Sequence, residues 1–147
     1  MGVYIVSACL IGENCKYNGS NNFNSKLVEF LKDKEFITIC PEVMGGMSTP
    51  RNPSEIVSVN PLKLLNNNNE DVTHFFIDGA KQEWDKIKNK NIICAILKAK
   101  SPSCGINQVY DGTFTNTLIN GNGVFANLLK SHGIKIYTEE TFLKEIK

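Results

Sequence analysis

Apolar residues along this chain fall into two spacings. Val3-Tyr4-Ile5-Val6 and Ile92 to Leu97 are short, unbroken apolar runs rich in β-branched residues, as expected of strands buried on both faces. Phe36-Ile37-Thr38-Ile39 and Ile134-Lys135-Ile136-Tyr137 predict two shorter strands. Between these runs the spacing becomes helical. Leu27, Val28 and Leu31 share one face of a helix that Asn24 or Ser25 caps and that ends near Lys32. Val72, Phe75, Phe76, Ala80, Trp84 and Ile87 predict a longer helix, capped at Asp71 and running to about Lys88. Val124, Phe125, Leu128 and Leu129 mark another, ended by Gly133. Thr138 caps a last helix, with Glu139 and Glu140 at the positive end of its dipole. Strands alternating with helices predict an α/β chain. The expected architecture is one Rossmann-like, three-layer domain over residues 1–147, with a mainly parallel sheet of about four to five strands.

Two stretches interrupt the alternation. Pro41 to Asn69 is rich in Pro, Gly and Asn, and Lys98 to Asn122 is similar, with Asp111-Gly112 as a hairpin-turn signal. Loops of this length inside a compact domain are usually functional or disordered. Asn66 to Asn69 reads as a solvated linker.

Composition narrows the function classes. The 147 residues carry a formal net charge of +1, so charge does not favour a nucleic-acid partner, although that class stays open. The longest apolar runs are far too short to span a bilayer, and no membrane partner is expected. Met1-Gly2-Val3-Tyr4 has no basic region ahead of an apolar one. Myristoylation at Gly2 would need Ser or Thr where Val6 stands. The expected compartment is therefore the cytoplasm. There, five cysteines do not make a disulfide framework. They are buried apolar thiols, metal ligands or catalytic thiolates.

Three of them stand at corresponding places. Cys9 follows the first strand, in Ser7-Ala8-Cys9-Leu10. Cys40 follows the second, in Cys40-Pro41-Glu42. Cys104 lies just past the Ile92–Leu97 strand, in Ser101-Pro102-Ser103-Cys104-Gly105. Ligands of open parallel sheets bind outside the carboxyl ends of the strands, so three cysteines distant in sequence converge on one edge. Structural zinc usually takes four ligands, often in Cys-x2-Cys pairs, and no such pair exists here. Iron–sulfur clusters accept cysteines from scattered loops. Spacing alone leaves two readings: a cluster with one open iron, or zinc with water in its fourth position.

The motifs then resemble a known family. Ser7-Ala8-Cys9-Leu10 with Cys15-Lys16-Tyr17-Asn18-Gly19 resembles the opening of the TudS-type thiouracil desulfidases. So do Cys40-Pro41-Glu42-Val43-Met44-Gly45-Gly46, Thr49-Pro50-Arg51, Ser101-Pro102-Ser103-Cys104-Gly105 and Tyr110-Asp111-Gly112-Thr113-Phe114. The resemblance covers nearly the whole chain. It implies a Rossmann-like fold and a [4Fe-4S] cluster held by Cys9, Cys40 and Cys104, with the remaining iron open to the sulfur of a thiolated pyrimidine. It further implies non-redox hydrolysis to uracil, with Glu42 taking the proton of the attacking water and Ser101 orienting substrate or a proton. Two rival classes stand beside it: a non-catalytic iron–sulfur or zinc binding module, and a cluster-free thiol enzyme.

Each residue also has a structural reading. Glu42 could pair with Arg51 or cap a turn, and Ser101 before Pro102 is a normal turn residue. Cys15 is not required by a three-cysteine cluster and could support it or receive sulfur. Cys94, inside a strand, belongs to the core. His74 and His132 read as surface or helix-end residues. Lys98 stands at a strand end, where it meets either substrate or solvent. Gly121-Asn122-Gly123 precedes a helix, as a plain turn or as a place for an anion.

Overall fold

The computed structural model describes residues 2–146. In chain order the elements are β1 (Val3–Ser7), a short 3-10 turn (Ala8–Ile11), α1 (Ser25–Leu31), β2 (Phe36–Ile39), α2 (Pro41–Met44), β3 (Ser54–Val59), β4 (Leu62–Asn66), α3 (Thr73–Ile87), β5 (Ile92–Leu97), β6 (Gln108–Tyr110), β7 (Leu118–Asn120), α4 (Val124–Ser131), β8 (Ile136–Thr138) and α5 (Glu139–Glu145). A four-stranded sheet runs in the order β2-β1-β5-β8, and every pairing in it is parallel. The α/β expectation holds, with four parallel strands and two small antiparallel hairpins, β3–β4 and β6–β7.

The period of two along each strand divides the core. Ile5, Ala95 and Leu97 face α3 and α4, where they meet Ala80, Ile87, Phe125, Ala126 and Leu129. Val6, Cys94 and Ile96 face the other way and pack with Leu27, Leu31 and Phe142 of α1 and α5. The sheet is thus the middle of three layers. A third cluster, Ile56, Leu64, Val72, Phe76 and Val109, ties both hairpins to α3.

Most predicted boundaries hold for the predicted reason. The Asn24 side chain accepts from Leu27 N at 3.1 Å and starts α1. Thr138 and Thr141 cap α5 reciprocally. Four expectations need correction. Asp71 does not cap α3. The helix begins at Thr73, and Asp71 instead accepts that residue's N–H (2.9 Å) and hydroxyl (2.6 Å) in a turn just ahead of it. The last strand lies later than Ile134–Tyr137, because the N–H groups of Gly133 and Ile134 still donate to the end of α4. Asn66 to Asn69 is no linker. Asn66 is buried, and its side chain accepts from the N–H groups of Asn68 and Glu70, closing the end of β4. The hairpin turn at Asp111-Gly112 is a longer loop that joins β6 to β7. Among the described residues no helix is long and apolar enough to cross a membrane.

The short helix after β2 is held by a close backbone contact. A Cβ on Gly79 of α3 would collide with the carbonyl oxygen of Pro41 and the N–H of Gly45, so α2 lies directly on α3. Gly79→Ala should cost about 1–3 kcal/mol, as overpacked sites do, and should lower the melting temperature. An unchanged melting temperature would mean that α2 can lift away at no cost.

Candidate active site

A cavity of about 620 Å³ lies outside the carboxyl ends of β1, β2 and β5. From β1 the chain passes to β2 on one side and later crosses to β5 on the other, so this is the switch point of the sheet, where open α/β folds bind ligands. Cys9, Cys40 and Cys104 line it, as their positions at strand exits predict, and Cys15 joins them. None of the five cysteines is in a disulfide.

Each of the three is held by its own local structure. Cys9 sits in the 3-10 turn, which Gly12 closes at φ +101°. The Asn22 amide donates to Cys9 Sγ at 3.3 Å. Cys40 precedes Pro41, the first residue of α2, and its N–H donates to Glu83 Oε2 at 2.6 Å. Glu83 is a buried carboxylate of α3 that also pairs with Lys86 at 2.8 Å. Cys104 closes a turn in which its N–H donates to Ser101 Oγ at 2.7 Å and the Gly105 N–H donates to Ser101 O at 2.9 Å. The first N–H groups of α4 support that turn. Val124 donates to Pro102 O, and Phe125 and Ala126 donate to Ser103 O. These donors are therefore spent on the protein's own carbonyls, and Gly121-Asn122-Gly123 offers no free anion site. Gly123 is needed for another reason: a Cβ there would press on the Ser103 backbone.

The thiols differ in acidity. Burial pushes the Cys104 thiol up to about 12, against the pull of the Ser7 and Ser103 hydroxyls. Burial also raises Cys9, which the Asn22 amide partly offsets. Contact with Cys40 and burial raise the Cys15 thiol, and the same contact lowers Cys40 against its own burial, with further help from the Val43 N–H; Cys40 Sγ also lies 4.0 Å from Cys15 O. Buried thiols of this kind lose their protons to a bound metal centre. Among the described residues no three His, Cys, Asp or Glu side chains gather tightly enough for a single ion. A cubane presents separate irons and does not require its ligands to meet at one point. The donor set of soft sulfur from three loops fits such a cluster.

Beside the thiols stands a fixed carboxylate. Glu42 Oε1 accepts from Arg51 Nε and lies 3.1 Å from Arg51 Nη2, while Oε2 accepts from Ser103 Oγ at 2.8 Å. The side chains of Glu42 and Arg51 are only 15% and 7% exposed, so the pair is largely shielded from solvent. Arg51 is itself anchored by the carbonyl oxygens of Cys15 and Ser48. The ion pair and a place in the cavity are thus compatible for Glu42. Ser101 also lines the cavity, but its hydroxyl accepts the Cys104 N–H and lies 3.2 Å from Ser103 Oγ. It reaches Glu42 only through Ser103.

Ser103, Asn22 and Glu83 were not legible as site residues. Ser103 shares its motif with Ser101, and only the fold shows which hydroxyl meets the carboxylate. Lys98 lines the cavity, and its ammonium is paired there with Glu139 at 2.9 Å. His132 stacks on Trp84 and His74 lies tilted against Phe75, both outside the cavity lining. Cys94 lies in the core, and burial raises its thiol to about 11.

The family profile for 2-thiouracil desulfurase matches residues 4–141. The chain belongs to this family. It is 39% identical over 142 residues to the protein YbbK of Bacillus subtilis (strain 168), covering 92% of this chain and 94% of that one. Its fold superposes with a TM-score of 0.89 on a solved structure of the [4Fe-4S]-dependent thiouracil desulfidase TudS, at 33% identity, covering 98% of this chain and 95% of the other. The resemblance read from the motifs of this desulfurase thus extends to its fold.

Proposed function

We propose that this 2-thiouracil desulfurase family member is a [4Fe-4S]-dependent desulfidase that hydrolyses thiouracil or a related thiolated pyrimidine. The observation that carries the reading is the meeting of three strand-exit thiols and one clamped carboxylate on a single cavity. Cys9, Cys40 and Cys104 would hold the cluster. When bound, it supplies an iron without a cysteine ligand, a Lewis acid with affinity for soft sulfur.

The protein's own residues would do the rest. Arg51 and Ser103 fix the two oxygens of Glu42, so its remaining lone pairs point at one place. There the carboxylate takes a proton from the water that attacks the ring carbon. Ser103 and Ser101 form a short hydroxyl chain from Glu42 toward the cluster loop, a route by which that proton can be held and returned. The sum is C=S plus water giving C=O plus hydrogen sulfide, with no change in the oxidation state of carbon. A small neutral base suits a cavity in a chain of nearly balanced charge. Both hairpins share a core with α3, so we read the chain as one folding unit.

The test is anaerobic reconstitution with iron and sulfide, followed by iron analysis and an assay of uracil release with no electron donor present. Turnover is expected without reductant. A requirement for stoichiometric electrons would overturn hydrolysis. Full iron loading without turnover would leave a binding module, and turnover in iron-free protein would point to thiol chemistry.

A further inference from the structure

Glu55 of β3 is the second carboxylate of the cavity lining, and hydrolysis through Glu42 leaves it without a role. It is 9% exposed. Unlike Glu42, it has no cationic partner among the described residues. Its Oε1 accepts two backbone N–H groups, from Gly112 at 2.9 Å and from Phe114 at 3.1 Å. Oε2 makes no hydrogen bond to any described residue. It is not fully buried, so it is reachable from the cavity, where it is an open acceptor for a donor of whatever binds there.

The two bonds on Oε1 shape the loop between β6 and β7. Gly112 adopts φ +93°, and a Cβ there would lie 2.8 Å from Ile56 O, so this loop packs backbone to backbone on β3. Phe114 and Asn116 take positive φ, at 60° and 61°. Side chains rarely adopt such angles without outside support. On the outer side, Asp111 holds the N–H and hydroxyl of Thr113, and the hydroxyls of Thr113, Thr115 and Thr117 form a ladder. The result places Phe114 on the cavity wall with Tyr110.

We propose that Glu55 is a substrate-positioning residue: Oε1 seats the loop that presents Phe114 as a wall for a planar ring, and Oε2 accepts a ring N–H of the thiopyrimidine. The inference rests on the desulfidase reading for its substrate. It selects a heterocycle with a free lactam or thiolactam N–H over one in which that nitrogen is alkylated. Glu55→Gln separates the two oxygens, since an amide keeps one acceptor for the loop but offers N–H where Oε2 stood.

The experiment uses the whole protein in two arms. In the first, hydrogen exchange is followed at the Gly112 and Phe114 amides without substrate. Exchange should be unchanged in Glu55→Gln and about tenfold or more faster in Glu55→Ala. Equal protection in Glu55→Ala would overturn the seating role. In the second, iron-loaded protein is given 2-thiouracil and its N1- and N3-methyl derivatives, and KM and kcat are separated. The wild type should prefer 2-thiouracil over one methyl isomer by about ten- to a hundredfold in KM, the range for a hydrogen bond to a charged group. That preference should fall to near unity in Glu55→Gln with iron content unaltered. A preference retained in Glu55→Gln, as a purely steric penalty would be, overturns the recognition role. Iron-loaded wild type inactive on 2-thiouracil would overturn the desulfidase reading and the recognition role with it, while the exchange arm still decides the seating role.

Discussion

Serine at any one of positions 9, 40 or 104 should abolish stable cluster binding, while Cys94→Ala and Cys15→Ser should retain it. A serine oxygen is a hard, weakly acidic donor in place of a soft thiolate, and three ligands leave no spare. The three positions stand at the exits of β1, β2 and β5 on one cavity, whereas Cys94 lies inside β5, packed with Val6, Leu27 and Phe142 in the core and outside the cavity lining. Cys15 is the informative control. It lines the same cavity and its carbonyl oxygen accepts from Cys40 Sγ at 4.0 Å, so proximity alone does not exclude it. Iron and sulfide content after anaerobic reconstitution, with circular dichroism to show that each variant is folded, checks the assignment. Loss of iron in Cys15→Ser with retention in Cys9→Ser would exchange their roles. Cys104→Ser tests folding most severely, because Cys104 is buried and a serine there needs a hydrogen-bond partner, for which the Ser7 and Ser103 hydroxyls stand beside it.

Glu42→Gln should keep the cluster and lose turnover by about 10²–10⁴, the usual cost of removing a general base. The amide is nearly the same size but cannot take a proton at neutral pH. It also disturbs the clamp, since Arg51 donates to Oε1 and Ser103 donates to Oε2, and an NH2 group can accept from neither. Glu42→Asp should recover little activity, because a carboxylate withdrawn by one methylene cannot meet Arg51 and Ser103 together. A purely structural Glu42 makes the opposite forecast: lower melting temperature, normal rate. Measuring iron content, melting temperature and uracil release on one preparation separates the two. A stable, fully loaded Glu42→Gln with the wild-type rate would leave this carboxylate without a chemical role.

Much of the main sheet was legible from local pattern. The apolar runs at Val3–Val6 and Ile92–Leu97, and the helical spacing from Val72 to Ile87, carry their own period, so the strands and helices of that sheet are recognisable one at a time. Capping chemistry is equally local, which is why Asn24 and Thr138 stand where expected. The β3–β4 hairpin was hidden because Ser54–Val59 lies among Pro, Gly and Asn, and its Ile56 and Leu64 are buried by α3 rather than by the main sheet. Asn66 reads as solvated for a related reason: its polar side chain is satisfied inside its own turn, so a buried residue looks like a surface one in the sequence.

By itself the sequence determined the parallel α/β frame and brought Cys9, Cys40 and Cys104 to one edge, since a cysteine after a parallel strand can only emerge at that strand's carboxyl end. Tertiary structure decided which side chains surround them. Ser103 rather than Ser101 meets Glu42, Arg51 arrives tied to the Cys15 carbonyl, and Glu55 joins two hairpins whose segments lie 57 residues apart at Gly112. These contacts depend on distances between separate loops, fixed by packing of α2 on α3 and of α4 against the Ser101–Gly105 turn. No residue period along the chain records such distances, because they come into being only when the layers close.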